Sequence, residues 1–266
     1  MSEQYVLETR NLVKEFKGFV AVDDVNLQIR KGHIHALIGP NGAGKTTVFN
    51  LLTKFLIPTR GQILYKGEDI TPLKSAAIAR KGIVRSFQIS AVFPHMTALE
   101  NIRVALQTAE GTSFSFWKSG YSLNKLNTRC MELLDSVGLA EFANTTTVEL
   151  AYGRKRALEL ATTLAMEPEI LLLDEPTQGM GSEDVDRVVE LVRKAAEGRT
   201  VLMVEHNLSV VSKLCDRITV LAQGAVLTEG DYAAVSADPR VREVYMGSDG
   251  SGERGTAEAE NAEAAQ

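Results

Sequence analysis

The chain opens on alternation. In "YVLETRNLVKEF" (5–16) and "AVDDVNLQI" (21–29) apolar residues fall near every second position, with "KGF" between them. That period predicts two short strands around a turn. "HIHALIG" (33–39) is apolar without alternation and reads as a buried strand. It runs into the glycine-rich "PNGAGKTT" (40–47), and "VFNLLTKFL" (48–56) then takes up helical spacing. "GQILYKGEDI" (61–70) predicts a further strand and turn.

From about 72 to 160 the period is helical, most clearly in "ALENIRVALQTA" and "NTRCMELLDSVGL". Between these lies "EGTSFSFWKSGYSLNKL" (110–126), polar and aromatic, which predicts a loop or hairpin. Two buried strands follow, "EILLLDE" and "TVLMVEH", separated by "GSEDVDRVVELVRKAAEG", a capped helix. "NLSVVSKLC" predicts a helix, "RITVLAQGAVLTEGD" a hairpin turning at Gly224, and "DYAAVSADPRVREVYMG" a short helical end. Strands alternating with helices imply an α/β fold, its parallel or mixed sheet covered on both faces.

Two segments carry recognisable chemistry. "GPNGAGKT" (39–46) fits GxxxxGK[ST] between a predicted strand and a predicted helix, the context that phosphate-loop motif requires. Gly39, Gly42 and Gly44 let the backbone of Pro40, Asn41 and Ala43 curl so that N–H groups face phosphate oxygens. The helix that follows adds its positive end. Lys45 is placed for the β- and γ-phosphates, Thr46 for a Mg²⁺ ion and Thr47 for the α-phosphate. The second segment, "ILLLDE" (170–175), delivers Asp174 toward Mg²⁺ at a strand end. Glu175 comes next, placed to polarise an attacking water as a general base. Nucleotide phosphates with Mg²⁺ are therefore the expected ligand.

Composition narrows the picture. The 266 residues are 44% apolar and 24% charged, ordinary for a globular protein, and the net charge of −5 gives no reason to expect nucleic-acid binding. Asp249, Glu253, Glu258, Glu260 and Glu263 against Arg254 place four of those net charges in 248–266. That tail lacks large apolar residues and reads as disordered. Cys130 and Cys215 have neither CxxC spacing nor a histidine at metal spacing, and read as small buried apolar residues in a reducing compartment. The polar start predicts no signal peptide, and no run nears the ~20 apolar residues of a membrane span. A membrane role would come through a partner.

In its motif order the sequence resembles the nucleotide-binding subunits of ATP-binding cassette (ABC) transporters, with matching elements over nearly all of 5–247. The resemblance implies a P-loop ATPase core with a mixed sheet and an inserted helical subdomain. It places the core, with N-terminal antiparallel strands, at 1–72 and 161–228, and the helical subdomain at 73–160. A short C-terminal segment at 229–247 and the tail at 248–266 complete the chain. The resemblance also implies residue roles. Phe16 would stack on adenine. Gln88, in "RSFQIS", would contact Mg²⁺ and water beside the membrane partner. His206, in "VEHNL", would contact the γ-phosphate. "ELAYGRKRALEL" (149–160) stands in place of the signature element, which faces the ATP of a second cassette through Ala151 and Gly153.

Within the family, "FPHMTALENIRVAL", the aromatic insert at about 110–125 and "DPRVREVYMG" resemble importer cassettes for branched-chain amino acids. That group implies a second cassette, as a heterodimer or a homodimer, integral membrane permeases, and an extracytoplasmic solute-binding protein. It implies a peripheral position on the cytoplasmic face of the membrane. Relatives for urea and other amides, organic acids or lipopolysaccharide export share these features, and a weakly hydrolysing regulatory cassette is a further alternative.

Three positions depart from the wider family pattern. Ala151 replaces the signature serine, whose hydrogen bond to a partner's γ-phosphate would be worth ~1.5–3 kcal/mol. Arg154 replaces a glutamine, and Gly181 stands where an aspartate commonly ends the loop after "DEPT". Glu175 is retained, so the expectation is an active ATPase.

Overall fold

The computed structural model describes residues 5–86, 92–109 and 120–249. The chain divides into two compact units, one built from 1–30, 35–72 and 215–266, the other from 31–34 and 73–214. Gln88, the residues of the aromatic insert up to 119 and the tail beyond 249 lie outside the described residues.

In the first unit β1 (Tyr5–Phe16) is the hub of an antiparallel sheet. It pairs with β2 (Phe19–Val25), β3 (Gln28–Arg30) and β5 (Arg60–Tyr65). Lys17 and Gly18 turn β1 into β2 with φ of 48° and 91°, the twin left-handed conformation of a tight hairpin turn. The same unit holds β4 (Ile34–Ile38), every residue of it buried. It lies parallel to β10 (Arg217–Ala222), which in turn pairs antiparallel with β11 (Ala225–Gly230). The sheet is therefore mixed, as the sequence predicts. Gln223 and Gly224 make the β10–β11 turn at φ 50° and 83°. Among the described residues the unit also holds a two-residue strand, β6 (Glu68–Asp69), and three α-helices, α1 (Lys45–Leu52), α8 (Tyr232–Ala237) and α9 (Pro239–Asp249).

In the second unit β7 (Ile83–Ser86), β8 (Ile170–Asp174) and β9 (Thr200–Val204) run parallel in unbroken register. All five residues of β8 and of β9 are buried, which explains their apolar runs without alternation. Among the described residues six α-helices accompany them: α2 (Ser75–Arg80), α3 (Ala98–Ala109), α4 (Gly120–Ser136), α5 (Tyr152–Leu164), α6 (Ser182–Ala196) and α7 (Leu208–Leu214). Thr97 and Glu100 start α3 with a reciprocal capping box. Glu100 Oε2 accepts the Thr97 amide at 2.8 Å, and Thr97 Oγ1 accepts the Glu100 amide at 3.2 Å.

Three local expectations change. The helix after the phosphate loop starts at Lys45 and ends at Leu52, short of residue 56. The predicted loop at 110–126 gives way to helix from Gly120. Strand β7 falls inside the stretch read as helical. At four residues it is too short to set a period of its own.

Candidate functional site

The phosphate-loop segment is held open by close backbone approaches. A Cβ on Gly39 would lie 2.2 Å from the Leu221 carbonyl oxygen, so no other residue fits at that position. Gly44 caps α1 at φ 98°, and its Cβ would lie 2.6 Å from the Ala21 carbonyl oxygen. Gly224, at the β10–β11 turn, donates its amide to Ala43 at 3.1 Å and accepts that of Asp23 at 2.8 Å. The hairpin turn thereby buttresses the loop against the end of β2. Lys45 is buried, and its ammonium donates to the carbonyls of Gly39 at 2.7 Å and Pro40 at 2.9 Å. Asn41 and Thr46 are exposed, Thr47 is half-buried, and Ala43 packs inward.

Phe16 closes β1, cross-strand from Phe19, and both rings are exposed. The Lys14 ammonium lies 4.9 Å from the Phe16 ring centre. An exposed aromatic face beside a cation is a platform that a planar base can cover.

In the second unit Asp174 ends β8, 8% exposed, in an ion pair with the Arg85 guanidinium on β7. Glu175 follows at φ 47°, a left-handed conformation that a side chain adopts only under constraint. Its amide donates to the Val204 carbonyl at 2.9 Å, and its Oε1 lies 2.6 Å from His206 Nε2. The candidate base and the candidate histidine are thus hydrogen-bonded to each other. Sequence reasoning found both and missed the pairing of Arg85 with Asp174.

Ala151 is the N-cap of α5: its backbone is extended, its carbonyl accepts the Lys155 amide at 3.0 Å, and its side chain caps nothing. Tyr152, Gly153 and Arg154 form the first turn. A Cβ on Gly153 would meet Asp184 Oδ1 at 3.2 Å, and the Arg154 guanidinium sits 3.9 Å from the Phe142 ring centre. Deeper in the helix Arg156 pairs with Glu159 at 2.9 Å. Burial pushes the Glu159 carboxyl above its usual range, with the Arg156 hydrogen bond opposing. Gly181 caps α6 at φ −71° with open space around its α-carbon.

One unit carries a glycine loop opening a helix, and the other a buried carboxylate, Asp174, followed by the hydrogen-bonded pair Glu175 and His206; these are residue types of the phosphate-loop class of nucleotide-binding proteins. The chain matches the ABC transporter family over residues 22–178. It also matches, over 225–251, the family described as branched-chain amino acid ATP-binding cassette transporter. It is 40% identical over 250 residues to the high-affinity branched-chain amino acid transport ATP-binding protein BraF of Pseudomonas aeruginosa, covering 91% of this chain and 98% of that protein. To the high-affinity branched-chain amino acid transport ATP-binding protein LivG of Escherichia coli it is 38% identical, covering 92% of this chain and 98% of that protein. To the lipopolysaccharide export system ATP-binding protein LptB of Acidithiobacillus ferridurans it is 35% identical, covering 93% and 98%. Among solved structures, a nucleotide-free ATP-binding cassette from an ABC transporter aligns with a TM-score of 0.80 at 28% identity, covering 91% of this chain and 98% of that one. An ADP-bound cassette aligns equally well, covering 91% and 99%. The chain belongs to the ABC transporter family and is an ABC-type ATPase.

Proposed function

We propose that this chain powers import of branched-chain amino acids through separate permease subunits, as one of two paired cassettes on the cytoplasmic face of a membrane. The observation that supports the solute class is the second family match, at 225–251, on the C-terminal elements from β11 through α9. No helix among the described residues is long and apolar enough to cross a membrane. A solute-binding protein on the far side completes the proposed system. The core at 1–72 and 161–228 and the helical subdomain at 73–160 are proposed as its working parts.

The residue roles follow from the chemistry each group can do. Lys45 exchanges its two neutral carbonyl acceptors for phosphate oxygens, which form stronger charge-assisted bonds. Phe16 stacks on the adenine. Glu175 orients and deprotonates the attacking water, and His206 holds Glu175 in place at 2.6 Å. Gln88, outside the described residues, is proposed on the family resemblance alone to contact Mg²⁺ and the water. Gly153 offers its backbone, with Ala151, to the second cassette's ATP.

Mg²⁺ fits this donor set. Mg²⁺ is commonly held by one or two carboxylates together with the nucleotide's own phosphates. Asp174, Thr46 and Gln88 would hold it, and when bound it neutralises charge developing on the phosphate oxygens.

The test is leucine uptake by proteoliposomes containing the complete transporter. Uptake should require ATP and vanish with Lys45→Ala. ATP hydrolysis should fall sharply in Glu175→Gln. Equal slow hydrolysis by wild type and Glu175→Gln would mean a regulatory cassette. Brisk ATPase activity with uptake of urea instead of leucine would move the solute class alone.

A further inference from the structure

We infer that Glu205, the residue before His206, is a positioning residue that clamps the loop carrying Glu175 to the loop carrying His206. The inference rests on the ATPase reading above and concerns a group to which no motif assigns a role. Glu205 is 2% exposed. Its carboxylate gathers four donors. Oε1 accepts the Thr177 amide at 3.0 Å and the Thr177 hydroxyl. Oε2 accepts the His206 amide at 2.9 Å and the Asn207 amide at 3.1 Å. One oxygen therefore serves the segment that follows Glu175, and the other serves the segment that begins at His206.

The clamp matches a need. Glu175 is left-handed at φ 47°, which disfavours it by about 1–2 kcal/mol relative to ordinary backbone. Such a conformation persists only where the surroundings over-determine it. The Glu175 amide is fixed to Val204, its carbonyl accepts the Gln178 amide at 3.1 Å, and Thr177 is fixed by Glu205. Val204 and Glu205 are consecutive, so the start of the Glu175 loop and its second residue onward are both tied to one strand end. The contact of 2.6 Å between Glu175 and His206 spans these two loops, and its length depends on how they are held.

A carboxylate is the only side chain of this length that accepts on both oxygens. In Glu205→Gln one end becomes an amide with donors. Whichever way it turns, it opposes either the Thr177 amide or the amides of His206 and Asn207. The Thr177 hydroxyl can rotate to accept, but a backbone N–H cannot. The volume is unchanged, so the substitution disturbs alignment more than packing.

The experiment measures steady-state ATP hydrolysis by the complete transporter in proteoliposomes, with magnesium, for wild type, Glu205→Gln, Thr177→Val, Glu175→Gln and the Glu175→Gln/Glu205→Gln double variant. We expect kcat to fall about 100-fold in Glu205→Gln, as for a base displaced by about 1 Å, with KM within about twofold. Thr177→Val, which removes one donor, should lose about tenfold in kcat at unchanged KM. The double variant should be no slower than Glu175→Gln, since Glu205 acts through that residue. Unchanged kcat in both single variants, or KM rising in step with a fall in kcat, overturns the clamp. Should Glu205→Gln not fold, Thr177→Val decides: a loss in kcat alone supports the clamp and an unchanged kcat removes it. A Glu175→Gln variant as fast as wild type brings down the ATPase reading and the clamp together. A slow Glu175→Gln beside an unimpaired Glu205→Gln removes only the clamp.

Discussion

The Tyr152 hydroxyl donates to the Gln178 carbonyl at 3.0 Å, tying the first turn of α5 to the loop that follows Glu175. Arg156 reaches the same hydroxyl at 3.3 Å. Tyr152→Phe keeps the ring and removes both hydrogen bonds of the hydroxyl. The loss, about 1–2 kcal/mol, should lower the melting temperature by about 2–8 °C. A thermal melt followed by circular dichroism checks the shift, and an unchanged melt would show that the link adds no stability.

Ala151→Ser should stabilise the protein. The position is already a helix N-cap with extended backbone, and a serine there is worth about 0.5–2 kcal/mol over alanine. Urea unfolding should show the gain. Hydrolysis should hold or rise modestly, since the hydroxyl also restores a donor to the proposed partner ATP. A collapse of ATPase activity would mean that residues 149–156 are not the signature segment.

Gly153→Asp should abolish turnover in the transporter while sparing nucleotide binding at Lys45. The new Cβ would stand 3.2 Å from Asp184 Oδ1, and the added carboxylate would face both Asp184 and a partner's phosphates. Binding of a fluorescent ATP analogue to the isolated chain, set beside hydrolysis by the complex, separates the two effects. Loss of binding in the isolated chain would refute the assignment.

Arg85→Gln should be severely destabilising. Arg85 is 12% exposed and Asp174 8%, so the substitution strands a buried carboxylate, at roughly 3–5 kcal/mol. Arg85→Gln combined with Asp174→Asn should recover most of that loss, because neither charge then remains. Equilibrium urea unfolding of the two single variants and the double measures it, and simple additivity would show the pair to be uncoupled.

The sequence by itself determined the elements whose signal is local. Period and apolar runs placed β1, β8, β9, α3 and the Gly224 hairpin. The glycine spacing around Lys45 and the strand ending in Asp174 and Glu175 announced phosphate chemistry, because such loops need particular residue types at fixed offsets. Strand β7 and the start of α4 were not legible. The first is too short to show a period, and the second is polar in composition. Tertiary structure alone decided the partnerships. Arg85 and Asp174 stand 89 positions apart, Thr177 and Glu205 stand 28 apart, and nothing in either neighbourhood names the other. Gly39 shows both sides of the division. The motif demanded a glycine, and only the packed structure gave the reason, a carbonyl of Leu221 lying where any Cβ would be. Local backbone needs are written in residue type, whereas the register of strands and the closeness of distant loops come from burying apolar faces together.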